Sequence, residues 1–387
     1  GGNVDPVGWR RLISRKRGFM QTHDIQTQDI ADAHFMQQAV RLAWRGLGAT
    51  AANPAVGCVI VDTHGAVAGI GWTQAGGRPH AETEALKHAG DAARGGTAYV
   101  TLEPCAHTGK TGPCADALVA AGISKVFYAL EDPDPRVAGR GAEKLRQAGI
   151  RVHQGLLAAE ALQVTAGFLV RVRDSRPYVT LKLAVSKNGV LRTPEGESPR
   201  ITGSLSRGYG HMLRATHDAI ITGRGTLETD DPGLDCRLPG MTARSPLPVV
   251  MSRHGLFPAN SKLAARAKTA PVILACEQHG ALTENVELCR IDTLHPKDVL
   301  IDLAARGINR VLLESGPQLA AAFLNDQMVD EIALFTAAHE VAMTGESDIS
   351  RMGLNPTDLE QNFECSARMI FGSDSFSLWR RRSEKEA

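Results

Sequence analysis

His80-Ala-Glu-Thr-Glu-Ala-Leu-Lys-His-Ala-Gly90 followed by Thr97-Ala-Tyr-Val-Thr-Leu-Glu-Pro-Cys105 is the stretch that decides the fold. Glu82 to Ala89 reads as a helix closed by Gly90, and Thr97 to Glu103 as a buried strand that stops at a proline. Working outward, Val56-Gly-Cys-Val-Ile-Val-Asp62 is a second apolar strand, Thr63-His-Gly65 a hairpin turn and Ala66 to Trp72 its partner. Upstream, from about Ala31, the spacing of Phe35, Ala39, Val40 and Ala43 predicts a helix that Gly46 and Gly48 end. Downstream, Cys114 to Ala121 reads as a helix ended by Gly122, and Lys125 to Asp132 as a strand. Strands alternating with helices imply an α/β sheet covered on both faces.

A helix from Ala158 to about Arg173 leads to Ser175-Arg-Pro177, a junction between domains. Beyond it, Tyr178 to Val185, His217 to Thr222, Val249 to Ser252, Pro271 to Cys276 and Arg310 to Glu314 are short apolar strands, so the second half is α/β as well. A length of 387 residues fits two domains. The division is an extension over residues 1–30, expected to be flexible, a first domain over 31–175, a second over 176–380 and a charged tail over 381–387. The basic run Trp9 to Arg17 belongs to the extension, and the charges from Arg380 onward are read as solvated. With 43% apolar and 22% charged residues the composition is that of a globular enzyme, and a net charge of +1 gives no electrostatic reason to bind nucleic acid. Seven scattered cysteines suit a reducing cytoplasm better than a disulfide framework, and no apolar run is long enough for a membrane span.

The chemistry lies in His80-Ala-Glu82, Glu103-Pro-Cys105 and Pro113-Cys114. Two of these open helices, where unpaired amides favour thiolates. One imidazole and two thiolates leave a tetrahedral zinc ion one open position, which separates a catalytic site from a closed structural one. Zinc makes water acidic enough to act near neutral pH, and Glu82 is placed to carry protons between water, ring and leaving ammonia. The pattern is the H-x-E and P-C signature of nucleobase deaminases, but eight residues, not two, separate Cys105 from Cys114. A cytidine or tRNA adenosine deaminase with an unrelated second domain is one competing reading. A structural-zinc interaction module, which needs a fourth protein ligand, is another.

The long loop Ala106-His-Thr-Gly-Lys-Thr-Gly-Pro113, with Asn53-Pro-Ala-Val-Gly57, Pro79-His-Ala-Glu82, Thr101-Leu-Glu-Pro-Cys105 and Glu131-Asp-Pro-Asp-Pro-Arg-Val-Ala-Gly-Arg-Gly141, resembles the bifunctional riboflavin-biosynthesis deaminase/reductases over about residues 32–380. The resemblance implies a cytidine-deaminase-like three-layer domain that removes the 2-amino group of 2,5-diamino-6-ribosylamino-4(3H)-pyrimidinone 5′-phosphate. His80, Cys105 and Cys114 would hold zinc, Asn53 would bind the pyrimidine, and Lys110 the phosphorylated end, with His107 in the same loop. Thr73 stands where relatives tend to carry a substrate-facing histidine, and Arg78 where they carry an acid.

The second half resembles the family's reductase, which is similar in fold to dihydrofolate reductase and uses NADPH to convert the ribosyl group to ribityl. The resemblance is carried by Leu181-Lys-Leu-Ala-Val-Ser186, Gly196-Glu-Ser198, Gly223-Arg-Gly-Thr226, Asp230-Asp-Pro232, Cys236-Arg-Leu238 and Glu314-Ser-Gly316, in the absence of any G-x-G-x-x-G turn. It implies that Ala184, Arg200, Thr226, Asp230 and the Gly316 turn line NADPH, and that Ser198, Arg214, Leu234, Arg237 and Glu314 face the substrate. Guanidinium groups at Arg214 and Arg237 suit phosphate. Asn188, Arg200 and Asp235 replace residues usual in the family. A homo-oligomer, dimer or tetramer, is implied by the resemblance alone.

Overall fold

A computed structural model of the chain describes residues 22–107, 112–134, 137–192, 201–278, 285–343 and 345–382. Lys110, Ser198 and Arg200 lie outside the described residues, as do residues 1–21 of the extension and 383–387 of the tail.

The first half is a five-stranded sheet in the order β2-β1-β3-β4-β5. Its strands are β1 (Gly57–Val61), β2 (Val67–Trp72), β3 (Thr97–Leu102), β4 (Lys125–Leu130) and β5 (Arg151–Gln154). β1 runs antiparallel to β2 and β3, and β3, β4 and β5 are parallel. Its helices are α1 (Thr22–Trp44), α2 (Ala81–Ala89), α3 (Cys114–Ala120), α4 (Arg140–Gln147) and α5 (Ala158–Asp174). Because strand side chains alternate, Cys58, Ile60, Ala98 and Val100 meet Ala85 of α2 and Leu118 of α3 on one face. Val59, Val61, Tyr99 and Phe127 meet Met36 and Ala39 of α1 and Val164 of α5 on the other. The three layers follow from that alternation. The first helix begins at Thr22 rather than near Ala31, because the opening turns Thr22-His-Asp-Ile-Gln-Thr-Gln28 carry no apolar period.

The second half is a nine-stranded sheet in the order β10-β9-β8-β7-β11-β6-β12-β14-β13. Its strands are β6 (Tyr178–Val185), β7 (Ala219–Gly223), β8 (Leu247–Met251), β9 (Val272–Cys276), β10 (Val286–Arg290), β11 (Arg310–Leu313), β12 (Glu331–Thr336), β13 (Phe363–Phe371) and β14 (Asp374–Arg381). All pairings from β10 to β12 are parallel, and β14 and β13 close the sheet as an antiparallel hairpin. Helices α6 (Ser204–Ala215), α7 (Arg224–Asp230), α8 (Lys262–Ala267), α9 (Pro296–Ala305) and α10 (Pro317–Asn325) connect the parallel strands. Their apolar sides form two further cores, one on each face of the sheet. Arg380 and Arg381, read from sequence as the start of a solvated tail, belong to β14. The Arg380 guanidinium meets Glu331, and Arg381 donates to the Val329 carbonyl. Asn188 completes its turn by bonding Val341 in both directions, donating to its carbonyl and accepting from its amide.

Candidate active sites

Three chain segments converge on the first site. Gly71 of β2 lies so close to α2 that a Cβ there would come within 2.2 Å of the Ala81 carbonyl oxygen. That contact fixes the start of α2, with His80 at its N-cap and Glu82 in its first turn. Glu103, just past β3, accepts from the amides of Gly139 and Ala142 and so anchors the Glu-Pro-Cys turn against the start of α4. Cys114 is the first residue of α3, and its amide donates to the Cys105 sulfur at 3.3 Å.

His80 Nδ1 lies 3.3 Å from the Cys114 sulfur and 3.7 Å from the Cys105 sulfur, and the three donor atoms fall within 4.8 Å of one another. Zinc bonds to nitrogen and sulfur at tetrahedral angles put such atoms about 3.5 Å apart, so the set fits zinc. Charge points the same way. Hydrogen bonding from Cys114, against burial, holds the Cys105 thiol down at about 4, while that same bond and then burial push Cys114 far up. The two sulfurs therefore carry one negative charge between them, and a second thiolate needs a cation in their midst. Glu82 is 4% exposed, and desolvation, then the Cys105 thiolate, push its carboxyl up to about 7, where it can both take and give a proton.

Glu82 and two of the donors, His80 and Cys105, open into a cavity of about 310 Å³. Asn53 and His107 line it, and His107 Nδ1 is buried with no partner among the described residues. Thr73 and Arg78 line it too, and the Thr73 hydroxyl accepts from the Val56 amide at 3.0 Å. Among the polar lining residues, Asp132, Asp134 and, from α5, Arg171 had no role assigned from the sequence. Burial raises the Asp132 carboxyl to about 6. The two aspartates sat inside a quoted motif without a role, whereas Arg171 lies on what reads as a connecting helix.

In the second half, Glu314 follows β11 and takes both Arg214 Nε and Nη2, at 2.8 and 2.9 Å. Arg214 Nη1 donates to the Asp235 carbonyl as well, so all three of its nitrogens are engaged. Lys182 on β6, unassigned from sequence, lies 3.7 Å from Glu314. Arg237 is 3.7 Å from Asp235 with its side chain 63% exposed. Leu234 packs into the core with φ of 50°, so only its backbone is available to a ligand. A cavity of about 970 Å³, whose lining includes none of these residues, is walled by Arg192, Gly223 to Thr226, Met251 to His254, Gly316 to Leu319 and Arg351, among others. Thr226 and Gly316 lie in its wall, joined by the Gly316 amide donating to the Thr226 hydroxyl at 3.1 Å. Gly316 is also the N-cap of α10. Asp230, at the end of α7, is 3.9 Å from Arg192, and Ala184 packs beside the Phe335 and Phe376 rings.

Comparison with known proteins gives concordant matches. The family model for the cytidine and deoxycytidylate deaminase zinc-binding region matches residues 30–130, and that for the RibD C-terminal domain matches residues 177–346. The chain is 39% identical over 321 residues to the riboflavin biosynthesis protein RibD of Escherichia coli, covering 79% of this chain and 87% of that one. To the Aquifex aeolicus RibD it is 36% identical over 311 residues, covering 79% and 86%. Its fold is similar to that of a diaminohydroxyphosphoribosylaminopyrimidine deaminase/5-amino-6-(5-phosphoribosylamino)uracil reductase of Thermotoga maritima, with a TM-score of 0.83 at 32% identity over 92% of this chain and 100% of that one. Against Acinetobacter baumannii RibD the TM-score is 0.80 at 36% identity, with the same coverage.

Proposed function

The chain belongs to the RibD family of bifunctional riboflavin-biosynthesis enzymes, zinc-dependent deaminase and NADPH-dependent reductase in one polypeptide, and from that premise we propose which residues carry each step. Residues 31–175 carry deamination and 176–380 carry reduction.

His80, Cys105 and Cys114 hold zinc, which when bound supplies the Lewis acidity that makes water a nucleophile near neutral pH. Glu82 accepts the proton of the attacking water as oxygen bonds to C2 of the pyrimidine. It returns that proton to the adjacent ring nitrogen, then takes the proton of the new C2 hydroxyl and passes it to the 2-amino group, which leaves as ammonia as the C2 carbonyl forms. Asn53 pairs with the pyrimidine edge, His107 borders the same cavity, and Lys110 takes the phosphate. The observation that carries this reading is the cavity into which His80, Cys105, Glu82 and Asn53 all open.

For reduction, NADPH when bound would supply the hydride that C1′ of the ring-opened sugar imine requires, with a proton going to the nitrogen. We assign that proton to Lys182, whose ammonium lies 3.7 Å from Glu314. NADPH would occupy the larger cavity, where Thr226 and Gly316 line the wall and the helix start after Gly316 would receive phosphate; Ala184, Arg200 and Asp230 are added as contacts on the resemblance alone. Ser198, the Leu234 backbone, Arg237 and the Arg214–Glu314 pair bound the substrate. With Arg214 committed to Glu314, Arg237 is the guanidinium with donors to spare for phosphate.

Among the described residues no helix is long and apolar enough to cross a membrane, and no cysteine is paired in a disulfide; the scattered cysteines favour a reducing, cytoplasmic setting. Assembly as a dimer or tetramer is expected from the family. The test is one coupled assay. Zinc-loaded protein given the diaminopyrimidine ribotide should release ammonia and then oxidise NADPH. Ammonia release without NADPH oxidation would reject the second half of the assignment, and no ammonia release would reject the first.

A further inference from the structure

The carbonyls of three consecutive residues at the wall of the deaminase cavity are held by donors tied to the reductase half. Asn309, just before β11, donates its Nδ2 to the Ala51 carbonyl at 2.9 Å and to the Asn53 carbonyl at 3.3 Å. Arg171 on α5 donates Nη2 to the Ala52 carbonyl at 2.7 Å and Nε to the Asn309 Oδ1 at 2.6 Å. The turn before Asn309 also abuts this loop, since a Cβ at Gly307 would lie 2.7 Å from that of Ala52.

The loop needs such support. Ala51 has φ of 50°, a left-handed conformation that disfavours any side chain. Within the deaminase half, Thr50 ties the loop at one end, its hydroxyl donating to the Asn53 carbonyl and its own carbonyl accepting the Asn53 amide. Ala51 and Ala52 take their carbonyl partners from Asn309 and Arg171. Asn309 is itself fixed. Its amide donates to the Asp218 carboxylate at 2.9 Å, its carbonyl accepts from Tyr178 at the start of β6, and its residue exposure is 6%.

We propose that Asn309, a residue of the reductase half, is a positioning residue for the deaminase: through the Ala51–Asn53 backbone, and with Arg171, it sets the Asn53 carboxamide against the pyrimidine. The proposal rests on the reading of Asn53 as the pyrimidine ligand. Docking of the second domain thereby completes the substrate pocket of the first, while the zinc donors and Glu82 stand on α2, α3 and the β3 turn and are built without it. A defect here acts on KM and spares the chemical step.

The experiment uses full-length, zinc-loaded Asn309→Asp, Asn309→Leu and Asn53→Ala. Asn309→Asp keeps the acceptor for Arg171 and the shape of the side chain, but faces the Ala51 carbonyl with a carboxylate in place of an amide donor. Both Asn309 variants should raise the deaminase KM about tenfold, the loss expected of one or two hydrogen bonds, with zinc content and deaminase kcat close to wild type. Reductase kcat/KM on separately supplied aminouracil ribotide should not move. An unchanged deaminase KM in Asn309→Asp overturns the proposal, as does a parallel fall of both activities, which would mark general damage to β11. Asn53→Ala separates the two layers. If it raises KM while the Asn309 variants do not, the positioning role alone fails, and if it leaves KM unchanged the pyrimidine-ligand reading fails and the proposal falls with it.

Discussion

Glu314→Gln isolates the ion pair at the heart of the reductase site. The Glu314 side chain is 14% exposed, and burial works to raise its pKa. The Arg214 guanidinium and then the Lys182 ammonium more than offset that and bring it from its ordinary 4.5 to about 2. A drop of that size corresponds to about 3 kcal/mol of folded-state stabilisation, in line with the penalty for leaving a buried ion without its partner. Because the folded value lies below the unfolded one, the contribution is complete above pH 4.5 and fades as the pH falls toward 2. Glutamine keeps the shape and removes the charge, leaving Arg214 and Lys182 facing a neutral amide. Native-state hydrogen exchange reads the result. At pH 7 the amides of β6 and β11, which pair from Tyr178 with Arg310 to Leu181 with Leu313, should exchange about a hundredfold faster in the variant, with β1 and β3 unaffected. Replacing both partners with apolar residues, Arg214→Met with Glu314→Leu, should recover most of that protection and still leave NADPH oxidation abolished. Exchange within about threefold of wild type at pH 7 would refute the assignment of net stabilisation to this pair. Equal acceleration in β1 and β3 would refute its confinement to the second half.

Other expectations concern the first half. Glu82→Gln should retain stoichiometric zinc by atomic absorption and lose about 10²–10⁴-fold in ammonia release, with reduction of supplied aminouracil ribotide unchanged. Removing zinc with a chelator should abolish ammonia release and leave that reduction intact, and zinc added back should restore the loss. Gly57→Ala would put a Cβ 1.9 Å from the Ala39 carbonyl oxygen and force α1 off β1. An overpacking cost of about 1–3 kcal/mol should appear as a lower melting temperature of the deaminase half in calorimetry.

The legible parts of the fold were those that bury both faces between strong punctuation. β1, β3 and β6 are almost wholly buried and lie between prolines, glycines and charged turns, so apolar runs alone located them within two residues. Of the strands that escaped, β5, β10 and β13 are edge strands, whereas β12 is buried and interior and escaped all the same. β5 offers only a half-buried Val152 among exposed neighbours, and β13 mixes Glu364, Arg368 and an exposed Ile370 into its run, because each lies at the edge of its sheet and one flank sees water. The zinc donors were legible for another reason. A metal site that must stay open demands particular residue types at particular helix starts, and few other demands produce that pattern. Arg171 and Lys182 make no such demand. Each is an ordinary basic residue on a regular element, and its role follows from what a distant segment brings beside it, Asn309 across 138 residues in one case and Glu314 in the other.

That contrast bears on how the two halves depend on each other. The candidate zinc donors and Glu82 are local, set on turns within residues 80–114. What makes this cavity particular is its wall, Asn53 with Arg171, and that wall rests on Asn309. The short strand β11 has Asn309 immediately before it and Glu314 immediately after it. One four-residue strand thus separates the contact that shapes the deaminase pocket from the carboxylate that organises the reductase site. In such an arrangement a sequence change that loosens β11 costs substrate recognition in one site and charge placement in the other, whereas a change in the zinc turn costs only the first reaction. On the proposed role of Asn309 the covalent linkage of the domains is more than co-expression, since the Ala51–Asn53 wall of the first domain is held by the folded edge of the second.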